Sequence, residues 1–307
     1  MPERPRPQPI LHDAASVCLT WLGRLAVAAV VAPMAGLVAF LVFRGVPGLG
    51  ASLFFGDTPA WQAVSGCMPV WDGIWPACAG TLRLVALAVG LALLPGIGTG
   101  IYLAEFAAGG KRRLLDAAVD MLAAVPSVVM GLFGFTLILF LRRTLLPDAT
   151  TCLFLAALCL AQLVMPSLIV ATREALEAMP QSLRAASAAM GLSRAQAVRH
   201  VLLPAALPGI TGGVVLAVGR AAEDTAVIML TGAVANAGLS GGLGETFEAI
   251  PFFIYYTAAQ HVDEAELGRA FSAALVLLAL SACLFAATNV LRERFLRRWR
   301  GTHREME

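Results

Sequence analysis

Charge is scarce in this chain. Only 14% of its 307 residues are Asp, Glu, Lys or Arg, where a soluble domain carries nearer a quarter. With 59% hydrophobic residues and a mean hydropathy of +0.79, a soluble globular fold is excluded and an integral membrane protein is implied. Catalytic signatures are missing as well. Gly109-Gly110-Lys111 runs on into Arg112, with no Ser or Thr to hold magnesium, so it is no nucleotide loop. HExxH and CxxC do not occur, and the six cysteines show no metal spacing. No metal, cofactor or catalytic residue is expected, the chain is not read as an enzyme, and any ATP must be hydrolysed by another chain. The basic residues sit at membrane boundaries, which topology explains, so nucleic acid is not an expected partner. Cys152, Cys159 and Cys283 lie in apolar runs and read as packing residues. Cys67 and Cys78 share one long loop, where a disulfide and two unpaired thiols are equally open.

What is present is a series of apolar runs of about 20 residues, the length a bilayer needs. Spans are expected at Leu25–Phe43, Thr81–Ala104, Ala117–Leu141, Thr151–Ala171, Leu207–Thr231 and Ala270–Leu291. An N-terminal tail covers 1–20, a transmembrane domain 21–291 and a basic C-terminal tail 292–307. Six spans put both termini on one side. If that side is the cytoplasm, sixteen Lys and Arg residues lie inside and four outside, with Arg83 and Arg220 within spans. That bias fixes the orientation, Arg142-Arg143 being its local violation. Gly96, Gly98 and Gly100 sit inside the second span and read as small residues for close helix contact. The Gly-rich stretch Gly238–Gly244 reads as a plain outer turn.

The segment 172–205 breaks the apolar pattern. Leu176, Met179, Leu183 and Met190 recur at helical spacing, with Ala186 between them, and Glu177, Gln181 and Arg184 on the other face. Gly191 is placed to end that helix in a left-handed conformation. Ser193 can cap a second short helix through Arg199, and Pro204 opens the next span. Such a corner between two spans presents itself to something in the cytoplasm. A basic amphipathic loop lying on the membrane is the competing account.

Span five carries Arg220, Glu223 and Asp224, with Arg220 about 15 Å in from Ile210 and so near the bilayer centre. Facing lipid unpaired, the three would cost roughly 8 kcal/mol, so they must face protein or water. In a continuous helix Arg220 could pair with Glu223 at i,i+3 or Asp224 at i,i+4. Gly209, Gly213 and Ala217 fall on the same face. A buried ion pair that only fixes packing is the alternative to a role in transport.

Several stretches together resemble one family. Ala185, Ala186, Ser187, Gly191, Leu192, Ser193 and Pro204 are spaced like the coupling loop of ABC importer permeases, with Ala185 where that family usually has Glu. Asp72-Gly73-Ile74, Gly80-Thr81-Leu82, Ile101 to Phe106, Val125 to Phe133 and Ile250 to Tyr255 are similar to the PstA-type permease subunits of phosphate ABC importers. After Arg220 the family pattern Arg-Ala-x-Gly-Glu-Thr has Glu223 for the glycine, Asp224 for the glutamate, and Thr225 kept. The resemblance runs from about Asp72 to Arg297. It implies an all-α, six-helix permease in the bacterial cytoplasmic membrane with both termini cytoplasmic. Its implied partners are a homologous PstC-type permease, two PstB-type ATPase subunits, a PstS-type phosphate-binding protein outside, phosphate itself and membrane lipid. The resemblance assigns the coupling loop to the ATPase and Arg220, Glu223, Asp224 and Thr225 to the translocation path or its gate. A permease of the same superfamily for another anion or small solute remains open, as does an ion-coupled secondary transporter using Asp224 and Glu223 as proton sites.

Overall fold

Apolar runs bounded by Gly, Pro and Arg become long helices. A computed structural model describes residues 11–304 apart from 69, 72, 145, 146, 148 and 149. Residues 1–10 and 305–307 of the expected tails, and Asp72 of the Asp-Gly-Ile motif, lie outside the described residues. In order come α1 (Leu11–Gly45), short α2 (Ala51–Phe55) and α3 (Ala60–Ser65), and then α4 (Trp75–Ile101) with a wider π turn at Tyr102–Phe106. Next are α5 (Gly109–Ala124), α6 (Ser127–Thr144), α7 (Leu153–Glu177), α8 (Gln181–Ala189) and α9 (Arg194–Ala197). A second π turn, Val198–Leu202, joins α9 to α10 (Leu203–Glu223), followed by α11 (Ala226–Thr231), α12 (Ile250–Gln260) and α13 (Glu264–Arg304). Among the described residues there is no sheet, and one bridge pairs Ala233 with Phe247.

Six segments are long and apolar enough to span a membrane: Ser16–Gly48, Trp75–Phe106, Ser127–Thr144, Leu153–Glu177, Arg194–Glu223 and Glu264–Arg294. At the centre stands α7, with α4 and α10 packed on it. Leu84, Ala88, Leu160, Val164, Ala217 and Ala221 are fully buried there. Small residues allow this approach. A methyl group on Gly213 would lie 2.4 Å from the Ala171 Cβ, and one on Gly209 would lie 2.5 Å from the Ala175 Cβ. Gly96 and Gly100 likewise face Leu168 and Thr172, whereas Gly98 faces open space. Without a hydrophobic drive between helices in lipid, such close backbone contact supplies the van der Waals attraction. Peripheral α1 leans on α13 and leaves Leu22, Leu25, Met34 and Leu37 more than 60% exposed, a surface that suits lipid and not water.

Two expected spans are corrected. The third does not begin at Ala117, because Pro126 has no N–H and holds Val125 extended (φ −65°, ψ 124°). The chain therefore splits into α5, which is amphipathic, and α6, which spans. The fifth does not run to Thr231, because it stops at Glu223 and Asp224 is extended (φ −73°, ψ 117°). The Asp224 carboxylate accepts the Val227 N–H at 2.8 Å, so it caps α11 instead of continuing α10. Cys67 and Cys78 are free thiols, Cys67 exposed and Cys78 buried.

Gly213→Val is expected to force α10 away from α7 at a cost of about 1–3 kcal/mol, read as a lower unfolding temperature of the detergent-solubilised protein. Gly98→Ala, made where nothing lies within 4 Å, should leave that temperature unchanged or slightly raised.

Candidate functional site

The corner that follows α7 is built as a bracket. Helix α8 ends at Ala189, and Gly191 adopts φ +77°, the left-handed region that costs glycine nothing. The Gly191 N–H donates to the Ala188 carbonyl at 3.0 Å and the Leu192 N–H to that of Ser187 at 3.2 Å, closing the helix end. Ser193 then caps α9 through a reciprocal box with Gln196, at 3.4 Å and 2.9 Å. The expected short helix through Arg199 is not separate from the next span. It passes through the π turn directly into α10, with Pro204 in the first turn, where its missing N–H costs nothing. Ala185, Ala186, Gly191 and Ser193 are exposed, Leu192 is half-buried, and Ser187 is buried with its hydroxyl donating to the Arg184 carbonyl at 2.9 Å.

Two contacts hold the bracket to the end of α4. Arg184 reaches the buried carboxylate of Glu105 at 2.8 Å, and the same guanidinium donates to the Leu176 and Met179 carbonyls at 2.8 Å each. On the other arm the Arg194 guanidinium lies 5.9 Å from the Phe106 ring centroid, within cation–π range. The end of α7 is tied to α5 as well, by Arg173 to Asp116 at 2.6 Å and by Arg112 to Glu177. From sequence, Arg184 read as part of a wet face and Glu105 carried no role. Their pairing spans 79 residues, and no spacing rule reports such a contact.

The second cluster lies at the break after α10. Gly209 against Ala175 and Gly213 against Ala171 set the antiparallel register of α10 on α7. Continued, that register puts Arg220 level with Val164, at the middle of α7. Arg220 and Glu223 are exposed, while Asp224 and Thr225 are half-buried. The expected intrahelical pairing does not form, since α10 ends before Asp224 and, among the described residues, Arg220 makes no ion pair. Nor do the charges share the small-residue contact. Gly213, Ala217 and Ala221 turn into α7, and Arg220 stands at the edge of that face beside exposed Leu216.

At the opposite end of the bundle, the 232–249 loop satisfies its own amides. The Glu248 carboxylate accepts the Gly238 N–H at 2.8 Å and that of Glu245 the Gly241 N–H at 2.7 Å. Burial pushes the Glu248 carboxyl above the usual carboxylate range, and its backbone hydrogen bonds only partly offset this. Arg83 reaches up from α4 to the Ser240 carbonyl at 2.7 Å. The stretch is a self-capped turn.

Comparison with known proteins adds three findings. The family described as "Binding-protein-dependent transport system inner membrane component" matches residues 96–297. The chain is 33% identical over 221 residues to the phosphate transport system permease protein PstA 1 of Mycobacterium tuberculosis, covering 72% of this chain and 70% of that one. It is 30% identical to the PstA protein of Haemophilus influenzae, covering 80% and 83%. Among solved structures, a bacterial ABC transporter for the import of alginate matches with a TM-score of 0.58 at 15% identity, covering 90% of this chain and 99% of that one. The MetNI methionine ABC transporter matches at 0.56 and 20%, covering 74% and 97%. At those identities the likeness is one of fold.

Arg184→Met should leave Glu105 charged, buried and unpaired, at a cost of about 3 kcal/mol, the low end for a broken buried pair because Arg184 keeps some water. Adding Glu105→Gln is expected to recover most of that loss in a double-mutant cycle of thermal stability. Independent, additive effects would show that the two residues do not act as a pair.

Proposed function

The chain belongs to the family of binding-protein-dependent transport system inner membrane components, and on that premise we propose that it is the permease subunit of an ATP-driven phosphate importer. The observation that carries the substrate is likeness, along 72% to 89% of the chain, to proteins named for phosphate transport. The implied assembly has a homologous second permease, two ATPase subunits in the cytoplasm, one of them facing Gly191, and a phosphate-binding protein at the opposite side. In this assembly the chain does no covalent chemistry; it converts a movement of the corner into a change of access.

Geometry supports that conversion. From the Ser193 cap to Glu223 the backbone stays helical, so the corner and the mid-membrane break are the two ends of one rod. Arg220 and Glu223 stand on its exposed edge, where a second permease would face them across the path. A lone cation at that depth attracts a phosphate anion strongly because little water screens it. Glu223 and the Asp224 cap keep the attraction weak enough for release.

Two experiments test this. Proteoliposomes holding the four components should take up radiolabelled phosphate only with ATP and the binding protein present. Arg220→Gln is expected to cut the rate by about 30-fold, the equivalent of ~2 kcal/mol, with assembly intact. Combining it with Glu223→Gln and Asp224→Asn keeps an oxygen to cap Val227 and removes every local charge. This triple variant should assemble and still fail to transport. Normal uptake by either variant would show that the charges only pack the helix.

The orientation has its own check. In a cysteine-free background, a thiol at Gly110 should react with an impermeant reagent only from the cytoplasmic side. Thiols at Ala60 and Ser240 should react only from outside. Labelling of Gly110 and Ala60 from the same side would overturn the six-span arrangement.

A further inference from the structure

Helix α10 has a second surface that neither α7 nor the charged edge accounts for. At ~100° per residue, the mean direction of Leu207, Ile210, Thr211, Val214 and Val215 is roughly opposite that of Leu216, Arg220 and Glu223 around the helix. There they line a cavity of about 300 Å³ with Ile97 of α4 and Thr288 and Arg292 of α13. The two threonines on that wall turn their polarity onto their own helices, since the Thr288 hydroxyl donates to the Leu284 carbonyl and the Thr211 hydroxyl to the Leu207 carbonyl, each at 2.8 Å. Most of the lining is therefore hydrocarbon, and most of it is half-buried, so the cavity opens to the outside of the bundle.

Arg292 is the exception. Its Nε is shut off from solvent and has no hydrogen-bond partner among the described residues. Leaving such a donor unpaired is costly. The approach of Phe285 to Gly219 sets α13 against α10 and puts Arg292 level with Gly212. That is about 12 Å from Arg220 towards the Gly191 end, close to the ~15 Å boundary of a hydrocarbon half-layer. A guanidinium at that depth can reach the layer of lipid phosphates.

We propose that this cavity holds one anionic phospholipid, with an acyl chain along the aliphatic wall and the headgroup phosphate against Arg292. A free phosphate ion would meet one cation and a hydrocarbon surface, which gives it little hold. A second permease subunit that covers the Arg220 edge cannot also cover the far side of the same helix. That last step rests on the function proposed above, and the test is independent of transport.

The complete complex, in nanodiscs, would be illuminated with phospholipids carrying a diazirine in the acyl chain. One set would have a phosphatidylglycerol headgroup and the other phosphatidylcholine. Phosphatidylglycerol should label the 207–215 segment about fivefold more than phosphatidylcholine, the advantage of one basic residue at the interface. Arg292→Gln is expected to abolish that preference, Arg292→Lys to retain most of it, and Val214→Trp to lower labelling by both lipids. Added inorganic phosphate should not compete. The proposal falls if 207–215 is not labelled, if both headgroups label it equally, if Arg292→Gln leaves the preference unchanged, or if inorganic phosphate displaces the label. Phosphate uptake is scored separately, so failure here leaves the importer assignment standing, and a transport failure leaves the lipid site standing.

Discussion

A carboxylate taken out of water needs a nearby cation or hydrogen-bond donors, and Glu105 has a cation in Arg184 at 2.8 Å. The same guanidinium also supplies donors to the Leu176 and Met179 carbonyls at the turn where α7 stops. One side chain thus joins the end of α4, the end of α7 and the start of the corner at a point. The rest of that layer depends on it. With Arg184 in place, the direction in which α8 leaves α7 is set, and so is the position of Gly191. Because α9 runs through a π turn into α10, the angle of the corner also sets the angle of a membrane helix. The Phe106–Arg194 contact and the α5–α7 ion pairs brace the arrangement from either side.

The parts of this architecture that were legible in the sequence are those written in local chemistry. Gly191 and Ser193 announce a left-handed stop and a cap within three residues of each other, and both occur as read. The six apolar runs were legible because a bilayer imposes a length. Pro126 was legible too, but the third span reads as one apolar run from Ala117, carried through a break that the proline enforces. The Glu105–Arg184 pair was hidden for a different reason. A contact between helix ends far apart in the chain leaves no periodic trace, and each residue alone looks like an ordinary interfacial charge.

The charged cluster shows how one backbone break changes a reading. Asp224 has a good i,i+4 partner in Arg220 only if the helix continues, and aspartate has a competing option, to accept an N–H at the start of the next helix. Taking that option caps α11, lets it pack against Gly131 and Gly134 of α6, and removes the counter-charge from Arg220. The outcome is a membrane helix that ends near mid-depth with an exposed cation in its last turn. Irregular backbone at that depth is tolerated only where it is covered by protein or lines water, and here α6 supplies the cover for α11 while Arg220 and Glu223 stay exposed beside the break.

In water, a helix sorts its faces by polarity. In lipid, α10 sorts them mainly by size. Gly213, Ala217 and Ala221 form a groove for α7, Leu207, Ile210 and Val214 bound a cavity, and only Arg220 and Glu223 stand out by charge. A polarity-based reading therefore places the small residues and the charges on one surface, because both differ from Leu and Val. The structure separates them by a fraction of a turn. That fraction decides which side chains hold the fold and which stand clear of it, since α7 packs into the small-residue groove and leaves the neighbouring edge bare.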